Sequence, residues 1–236
     1  MTAVVTGASG GIGGAIASAL AERGATVCVS GRHRERLKRA SERVDATGRG
    51  RAEVYRADLT VEAELADLTT ALLSRPTGVD ILVHSAGEFA RGQLESTPVE
   101  VLDRLVAVNV RSTYLLTQAL SPSLKQRNGQ LVFINSSVSV ATRALVGPYA
   151  LTQHSRRVLT DTFRQELNEH GVRVVGVYPG RTATPMQAEI HRLEGRPYLP
   201  ERLLQPADVA EVIASALALP RTAEVTDLHI RPAARV

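Results

Sequence analysis

Three glycines near the start of the chain, Gly7, Gly11 and Gly13, stand where backbone can meet a phosphate. They follow the β-branched run Ala3-Val4-Val5-Thr6 and precede the alanine-rich stretch Ala15-Ile16-Ala17-Ser18-Ala19-Leu20-Ala21. That order is a buried strand, a tight turn and an amphipathic helix. A side chain in the turn would keep backbone N–H groups and the positive helix end away from a pyrophosphate, so the chemistry requires glycine. A second apolar run, residues 25–30, arrives at the distance expected of a βαβ unit, and the pattern predicts dinucleotide binding. Gly7-Ala8-Ser9-Gly10-Gly11 also fits the G-x-S-x-G turn that presents a nucleophilic serine. Such a serine draws an oxyanion loop from an earlier strand, and too few residues precede Ser9 to supply one.

The residue after the second strand selects the dinucleotide. A carboxylate there would bond the ribose hydroxyls of NAD, whereas an arginine would meet the 2′-phosphate of NADP. Ser30-Gly31-Arg32-His33-Arg34 offers no acid, and the planar fork of Arg32 suits a phosphate, so NADP(H) is the expected cofactor. Arg36 and Arg39 read as the exposed face of the next helix. Asp58, within the segment 52–60 that forms the third strand and its exit, either caps a turn or touches adenine, with Thr60 as a helix N-cap. The fourth strand stops at Ser85-Ala86-Gly87, small enough for backbone to approach a cofactor. The fifth, 130–135, delivers Ser136, Ser137 and Ser139 to the C-terminal edge of the sheet, where open α/β sheets bind ligands.

The elements that must hold these residues alternate between strand and helix. A helix covers 61–74. Pro98 opens a long helical pattern with one apolar stripe through Val101, Leu105, Val108, Leu116 and Leu120; Asn109 interrupts it and demands a partner or a bend. Tyr149 begins a helix reaching about residue 170, a sixth strand covers 172–178, and 185–205 is an irregular, proline- and charge-rich stretch that reads as a lid. A helix at 207–219 and a strand at 227–230 follow. The pattern predicts an α/β chain, with a Rossmann-type doubly wound parallel sheet of about seven strands and helices on both faces, as a single domain over 1–236.

Composition narrows the function. The net charge is +4, but the basic residues are scattered among acids and aromatics make up only 3%, too few for base stacking, so no nucleic acid is expected. No apolar run approaches membrane-spanning length, and the first strand begins at the second or third residue, leaving no room for a signal peptide; a cytoplasmic protein without a membrane partner is expected. The single cysteine, Cys28, reads as a small buried residue, and the six histidines form no metal-ligand pattern.

With these residues in order, the chain resembles the short-chain dehydrogenase/reductase family over nearly its whole length. Thr6 to Gly13 match the family's T-G-x-x-x-G-I-G turn, Asp58 the acid at adenine, Asn109 the active-site helix asparagine, Ser137 the carbonyl-polarising serine and Tyr149 the catalytic tyrosine. Pro179-Gly180 with Thr182 and Thr184 match the P-G-x-x-x-T segment around the nicotinamide and pyrophosphate. The resemblance implies a cofactor site of Gly7, Ser9, Gly11, Ile12, Gly13, Ser30, Arg32, Asp58, Leu59, Ser85, Ala86, Gly87, Tyr149, Gln153, Pro179, Gly180, Thr182 and Thr184. It implies a catalytic set of Asn109, Ser137, Tyr149 and Gln153, performing hydride transfer between nicotinamide C4 and the carbonyl carbon of a small substrate. Ser137 would hold the oxygen, Tyr149 exchange its proton and Asn109 support a water relay. A homotetramer or homodimer built on the helices within 101–120 and 149–167 is also implied.

Three departures from the family pattern bear on mechanism. Its N-A-G after strand four is Ser85-Ala86-Gly87 here. Tyr149 follows Ser137 by twelve residues where thirteen is common, which keeps Ser136 as the second candidate. The family's Y-x-x-x-K is Tyr149-Ala150-Leu151-Thr152-Gln153; the lysine normally lowers the tyrosine pKa and holds the nicotinamide ribose, whereas Gln153 can hydrogen-bond but carries no charge. His154, about 100° around the helix, and Arg156, two turns beyond Tyr149, do not fit the vacated position on this reading. Arg143 reads as an exposed loop arginine. A phenol near pKa 10 is a sufficient acid for reduction but poorly ionised for oxidation. Two functions follow: an NADP(H)-dependent carbonyl reductase or alcohol dehydrogenase, or an NADP(H)-binding protein without redox turnover. The substrate pocket is expected between Glu88, Phe89, the 138–148 loop and the 185–205 stretch.

Overall fold

In a computed structural model that describes residues 1–234, the apolar runs form seven strands and the stretches between them eight α-helices. In chain order these are β1 (Thr2–Thr6), α1 (Gly11–Glu22), β2 (Thr26–Gly31), α2 (Arg34–Asp45), β3 (Arg51–Arg56), α3 (Glu62–Leu73), β4 (Ile81–His84), α4 (Val99–Val106), α5 (Ser112–Gln126), β5 (Gln130–Ile134), α6 (Gly147–Asn168), β6 (Arg173–Pro179), α7 (Pro185–Glu194), α8 (Pro206–Leu217) and β7 (Asp227–Ile230). All strand pairs are parallel, in the order β3-β2-β1-β4-β5-β6-β7. The winding reverses between β1 and β4, and the crevice at their C-terminal ends is where such sheets bind ligands.

Helices cover both faces, so β1, β4, β5 and β6 are buried at every position and read as unbroken apolar runs. Successive residues point to opposite faces. Val5, Val83, Val132 and Val177 pack with Ile16 and Leu20 of α1 and Ile213 of α8. Val4, Leu82, Leu131 and Phe133 pack on the other side with Leu68, Leu116, Leu120 and Phe163 of α3, α5 and α6. The Phe133 ring is wholly enclosed, and deleting such a ring costs about 3–5 kcal/mol. Cys28 belongs to the same cluster, where burial pushes its thiol up to about 11.

Three expected elements take a different form. The helix after Pro98 is divided: a π-helical turn, Ala107–Arg111, separates α4 from α5 and is the bend that Asn109 requires. The 185–205 stretch is largely ordered. Thr184 caps α7 by accepting the Gln187 N–H at 3.1 Å, Pro185 opens the first turn, and Gly195 closes it at φ 65°. Thr60 is no helix cap, since Val61 holds that position without a side-chain bond; the Thr60 N–H and hydroxyl instead both donate to Asp58.

The first turn is packed beyond what a side chain tolerates. A Cβ on Gly7, itself at φ 66°, would lie 2.7 Å from the Ala86 nitrogen, and one on Gly13 would lie 2.6 Å from the Gly7 carbonyl oxygen. Gly13→Ala is therefore expected to destabilise the protein by about 2 kcal/mol or more in urea unfolding. Gly10→Ala, whose methyl meets nothing within 4 Å, should stay within about 0.5 kcal/mol of the parent; equal losses would exclude close packing as the reason.

Candidate active site

Thr6, the last residue of β1, ties the two central strands together. Its hydroxyl accepts the N–H groups of Ser85 and Ala86 at 3.1 and 3.2 Å and donates to the Val83 carbonyl at 3.3 Å. Beyond it, α1 starts at Gly11 with no side-chain cap and no acid in its first turn, so its first N–H groups and positive end are left for an anion. The turn opens on a cleft of about 1640 Å³, above the roughly 300–1,000 Å³ of common ligand pockets and large enough for a dinucleotide beside a small substrate. Every residue expected at the cofactor borders this cleft except Ser30. Ser30 is buried behind the wall, its hydroxyl without a partner among the described residues.

The rim near β2 is basic and cross-linked. Glu88 accepts from Arg32 Nη1 at 2.6 Å and from Arg104 Nε and Nη2 at 2.6 and 2.7 Å. Burial works to raise the Glu88 carboxyl, but the two arginines hold it below the ordinary range. Glu88 is thus a bridge between arginines, not a free group facing substrate. At Asp58 burial likewise pushes upward, and the Thr60 bonds at 3.0 and 2.7 Å, with the charges of Arg32 and Arg104, bring the carboxyl below its usual value. Asp58 caps this turn and borders the cleft. Arg36, Arg39 and Arg43 are exposed, as the α2 pattern suggests, yet they too line the rim. Their three- and four-residue spacing on one face of α2 is the sequence signal for this.

The opposite wall carries the hydroxyls. The Ser136 hydroxyl pulls the Tyr149 phenol downward against burial and accepts the Val138 N–H at 3.2 Å. Ser137 also borders the cleft, but it is exposed, starts a 3-10 turn and makes no bond to Tyr149 among the described residues. Of the two serines at the cleft, Ser136, thirteen residues before Tyr149, is the one whose hydroxyl acts on the phenol. Successive residues leaving a strand point to opposite sides, so a slip of one exchanges an inward hydroxyl for an outward one. The Phe89 ring meets Tyr149 edge-on at 5.0 Å. Burial raises the Tyr149 phenol above its ordinary value, while Ser136 and the charge of Arg156 pull it down.

Asn109 lies behind this wall, fully enclosed and outside the cleft lining. Its Oδ1 accepts the Glu88 N–H at 2.9 Å, and its Nδ2 donates to the Glu88 carbonyl and to Thr152 Oγ1, both at 3.0 Å. Thr152 in turn donates to the Tyr149 carbonyl at 2.8 Å. One amide thereby joins the loop after β4, the π-helical turn and the first turns of α6.

The inward face of α6 runs Ala150, Gln153, Arg156, Thr160, Phe163, Leu167, polar near the sheet's C-terminal edge and apolar farther down. Ser9 borders the cleft but bonds no histidine among the described residues. A model of the family described as short chain dehydrogenase matches residues 1–195. The chain belongs to that family. An uncharacterized oxidoreductase of Staphylococcus epidermidis is 31% identical over 231 residues, covering 98% of this chain and 96% of the relative. Among solved structures, an alcohol dehydrogenase from the archaeon Thermococcus sibiricus complexed with 5-hydroxy-NADP superposes with TM-score 0.88 at 28% identity, covering 100% of this chain and 97% of that one. A metagenomic short-chain oxidoreductase in complex with NADP gives 0.86 at 29%, covering 100% and 98%.

In this short-chain dehydrogenase Gln153 is buried at the cleft, its side chain without a hydrogen bond among the described residues. Arg156, set aside on sequence as too far along the helix, also reaches the cleft. Seven residues turn a helix by about 700°, so position 156 lies on the Tyr149 face, and helical side chains lean toward the N-terminus. The long arginine stem covers the remaining distance. The node at Asn109 yields a prediction. Asn109→Ala removes three hydrogen bonds and strands the Glu88 peptide, an expected loss of about 2–4 kcal/mol in urea unfolding; Thr152→Val should cost about 1 kcal/mol. A change under about 0.5 kcal/mol for Asn109→Ala would show that water replaces the amide.

Proposed function

We propose that this short-chain dehydrogenase is an NADP(H)-dependent oxidoreductase that reduces a carbonyl, or oxidises the matching alcohol, on a small organic substrate. The Ser136–Tyr149 hydroxyl pair in the same cleft as the glycine turn carries the reading. The residues present fit a dinucleotide: Gly7 and Gly13 leave space that a Cβ would fill, the α1 N-terminus offers uncapped donors, and Arg32, Arg36, Arg39 and Arg43 on the rim suit a 2′-phosphate. NADP-type cofactors in the Thermococcus and metagenomic structures support the same choice.

A nicotinamide dinucleotide held there would supply hydride to the carbonyl carbon. Ser136 holds the carbonyl oxygen, and the Tyr149 phenol gives that oxygen its proton; in oxidation the phenolate takes the proton back. Carbonyl, hydride and proton sum to alcohol. Asn109 acts as a positioning residue through Glu88 and Thr152, and Gln153 offers an amide to the cofactor ribose. Phe89, the 138–148 loop and α7 as the lid enclose the substrate, with the chain as one domain over 1–236. The reading includes a homotetramer or homodimer that covers the outward Tyr114, Leu151 and Val158.

The raised Tyr149 phenol sets the pH dependence, because the proton donor is its neutral form and the base its phenolate. Carbonyl reduction is expected to be level through neutral pH, whereas alcohol oxidation climbs about tenfold per pH unit below the phenol's pKa. Tyr149→Phe should lower reduction by about 10²–10⁴-fold with NADPH binding retained in thermal shift. Ser136→Ala should be more damaging than Ser137→Ala; the reverse order would overturn the assignment of the serine.

A further inference from the structure

We propose that Arg156 supplies, from two turns along α6, the positive charge that position 153 does not. The proposal rests on the reductase reading and concerns how its tyrosine is poised. Arg156 is among the largest fully buried side chains, yet it borders the cleft that Tyr149 lines. Its Nη1 donates to the Ala86 carbonyl at 3.1 Å and its Nη2 to the His84 carbonyl at 2.8 Å, while Nε has no partner among the described residues. A Cβ placed on Gly87 would lie 3.6 Å from Nη1 and 3.3 Å from Asn109 Oδ1, which sets the guanidinium beneath the loop carrying Ser85, Ala86 and Gly87.

Among the described residues, Arg156 forms no ion pair. The nearby acid, Glu88, is held by Arg32 and Arg104. The other groups around the pair are Ser136 from the loop after β5, Phe89 from the loop after β4, and Thr152, Gln153 and Asn109, none of which titrates at neutral pH. His84 at the end of β4 is kept neutral, because burial and the Arg156 charge push it well below its ordinary value. Burial draws the guanidinium down to about 10, still protonated at neutral pH. Its field therefore falls on the phenol without a carboxylate to cancel it, and in a low-dielectric interior a charge acts over more than contact distance. A side chain that only plugged a gap would need none of this.

The test is the ionisation of Tyr149 itself, read as the near-ultraviolet tyrosinate band in a rapid pH jump, with Tyr149→Phe subtracted in each background. It needs no substrate, so it is separable from the reductase reading. Arg156→Met and Arg156→Gln should each raise the Tyr149 midpoint by about one pH unit or more. The glutamine variant still offers a donor to the His84 and Ala86 carbonyls should methionine prevent folding. Arg156→Lys should keep the midpoint near that of the parent, and Gln153→Lys added to either neutral variant should bring it back down. In alcohol oxidation, where a substrate is found, the rise with pH should move upward by the same interval while NADPH affinity changes less than about threefold. A natively folded neutral variant whose Tyr149 midpoint equals that of the parent would overturn the proposal, even if carbonyl reduction were established. A shifted midpoint in a protein that reduces nothing would uphold the coupling and remove the reductase reading.

Discussion

The site depends on how closely β1 and β4 approach one another at their C-terminal ends. Gly7 lies against the Ala86 nitrogen with no room for a methyl group, Gly13 lies against the Gly7 carbonyl, and the Thr6 hydroxyl satisfies two N–H groups of the neighbouring loop. Because the winding reverses between these strands, the connections leave in opposite directions and open a crevice. The close approach brings the uncapped end of α1 and the Ser85–Gly87 backbone to that crevice together. Without it, the donors of α1 and the hydroxyls of α6 would face separate surfaces.

A second constraint fixes the other wall. The inward stripe of α6 changes from Gln153, Arg156 and Thr160 to Phe163 and Leu167 along one face, so the same helix is an anchor in the core and a side of the cleft. Asn109 holds this upper half to the loop after β4, and the π-helical turn makes that reach possible by adding a residue to the helix at its own position. The arrangement is costly at Arg156. Burying a guanidinium without a carboxylate forfeits several kcal/mol of hydration, and two carbonyl bonds, at roughly 1.5–3 kcal/mol each for a charged donor, offset only part of it. Stability alone therefore favours an apolar residue at 156; what the arginine adds is field.

The central strands and the glycine turn were legible because each has one dominant cause: burial on both faces makes an unbroken apolar run, and close backbone approach demands glycine. Asn109 was legible as an anomaly in an apolar stripe, though nothing in the sequence named Glu88 and Thr152 as its partners. The choice between Ser136 and Ser137 was not legible, because strand exit geometry, which decides the side a hydroxyl faces, leaves no mark in composition. Arg156 was missed for a different reason. Distance counted between backbone positions ignores a long side chain that leans back along its helix. The α7 helix did have signals, Thr184, Pro185 and Gly195, but the surrounding prolines and charges obscured them.

Two populations of arginine share the cleft, and solvent separates what they can do. Arg32, Arg36, Arg39 and Arg43 are exposed at the rim, where water and salt confine their influence to groups close by, as Arg32 acts on Glu88 and Asp58. They suit a phosphate that arrives and leaves, because its charge is exchanged against solvent ions. Arg156 is enclosed, so solvent ions screen its charge far less and its field reaches beyond contact distance. A lysine at 153 would combine contact and charge at one position of the cleft. With Gln153 there the two are divided between an amide at the cavity surface and a buried guanidinium one turn deeper.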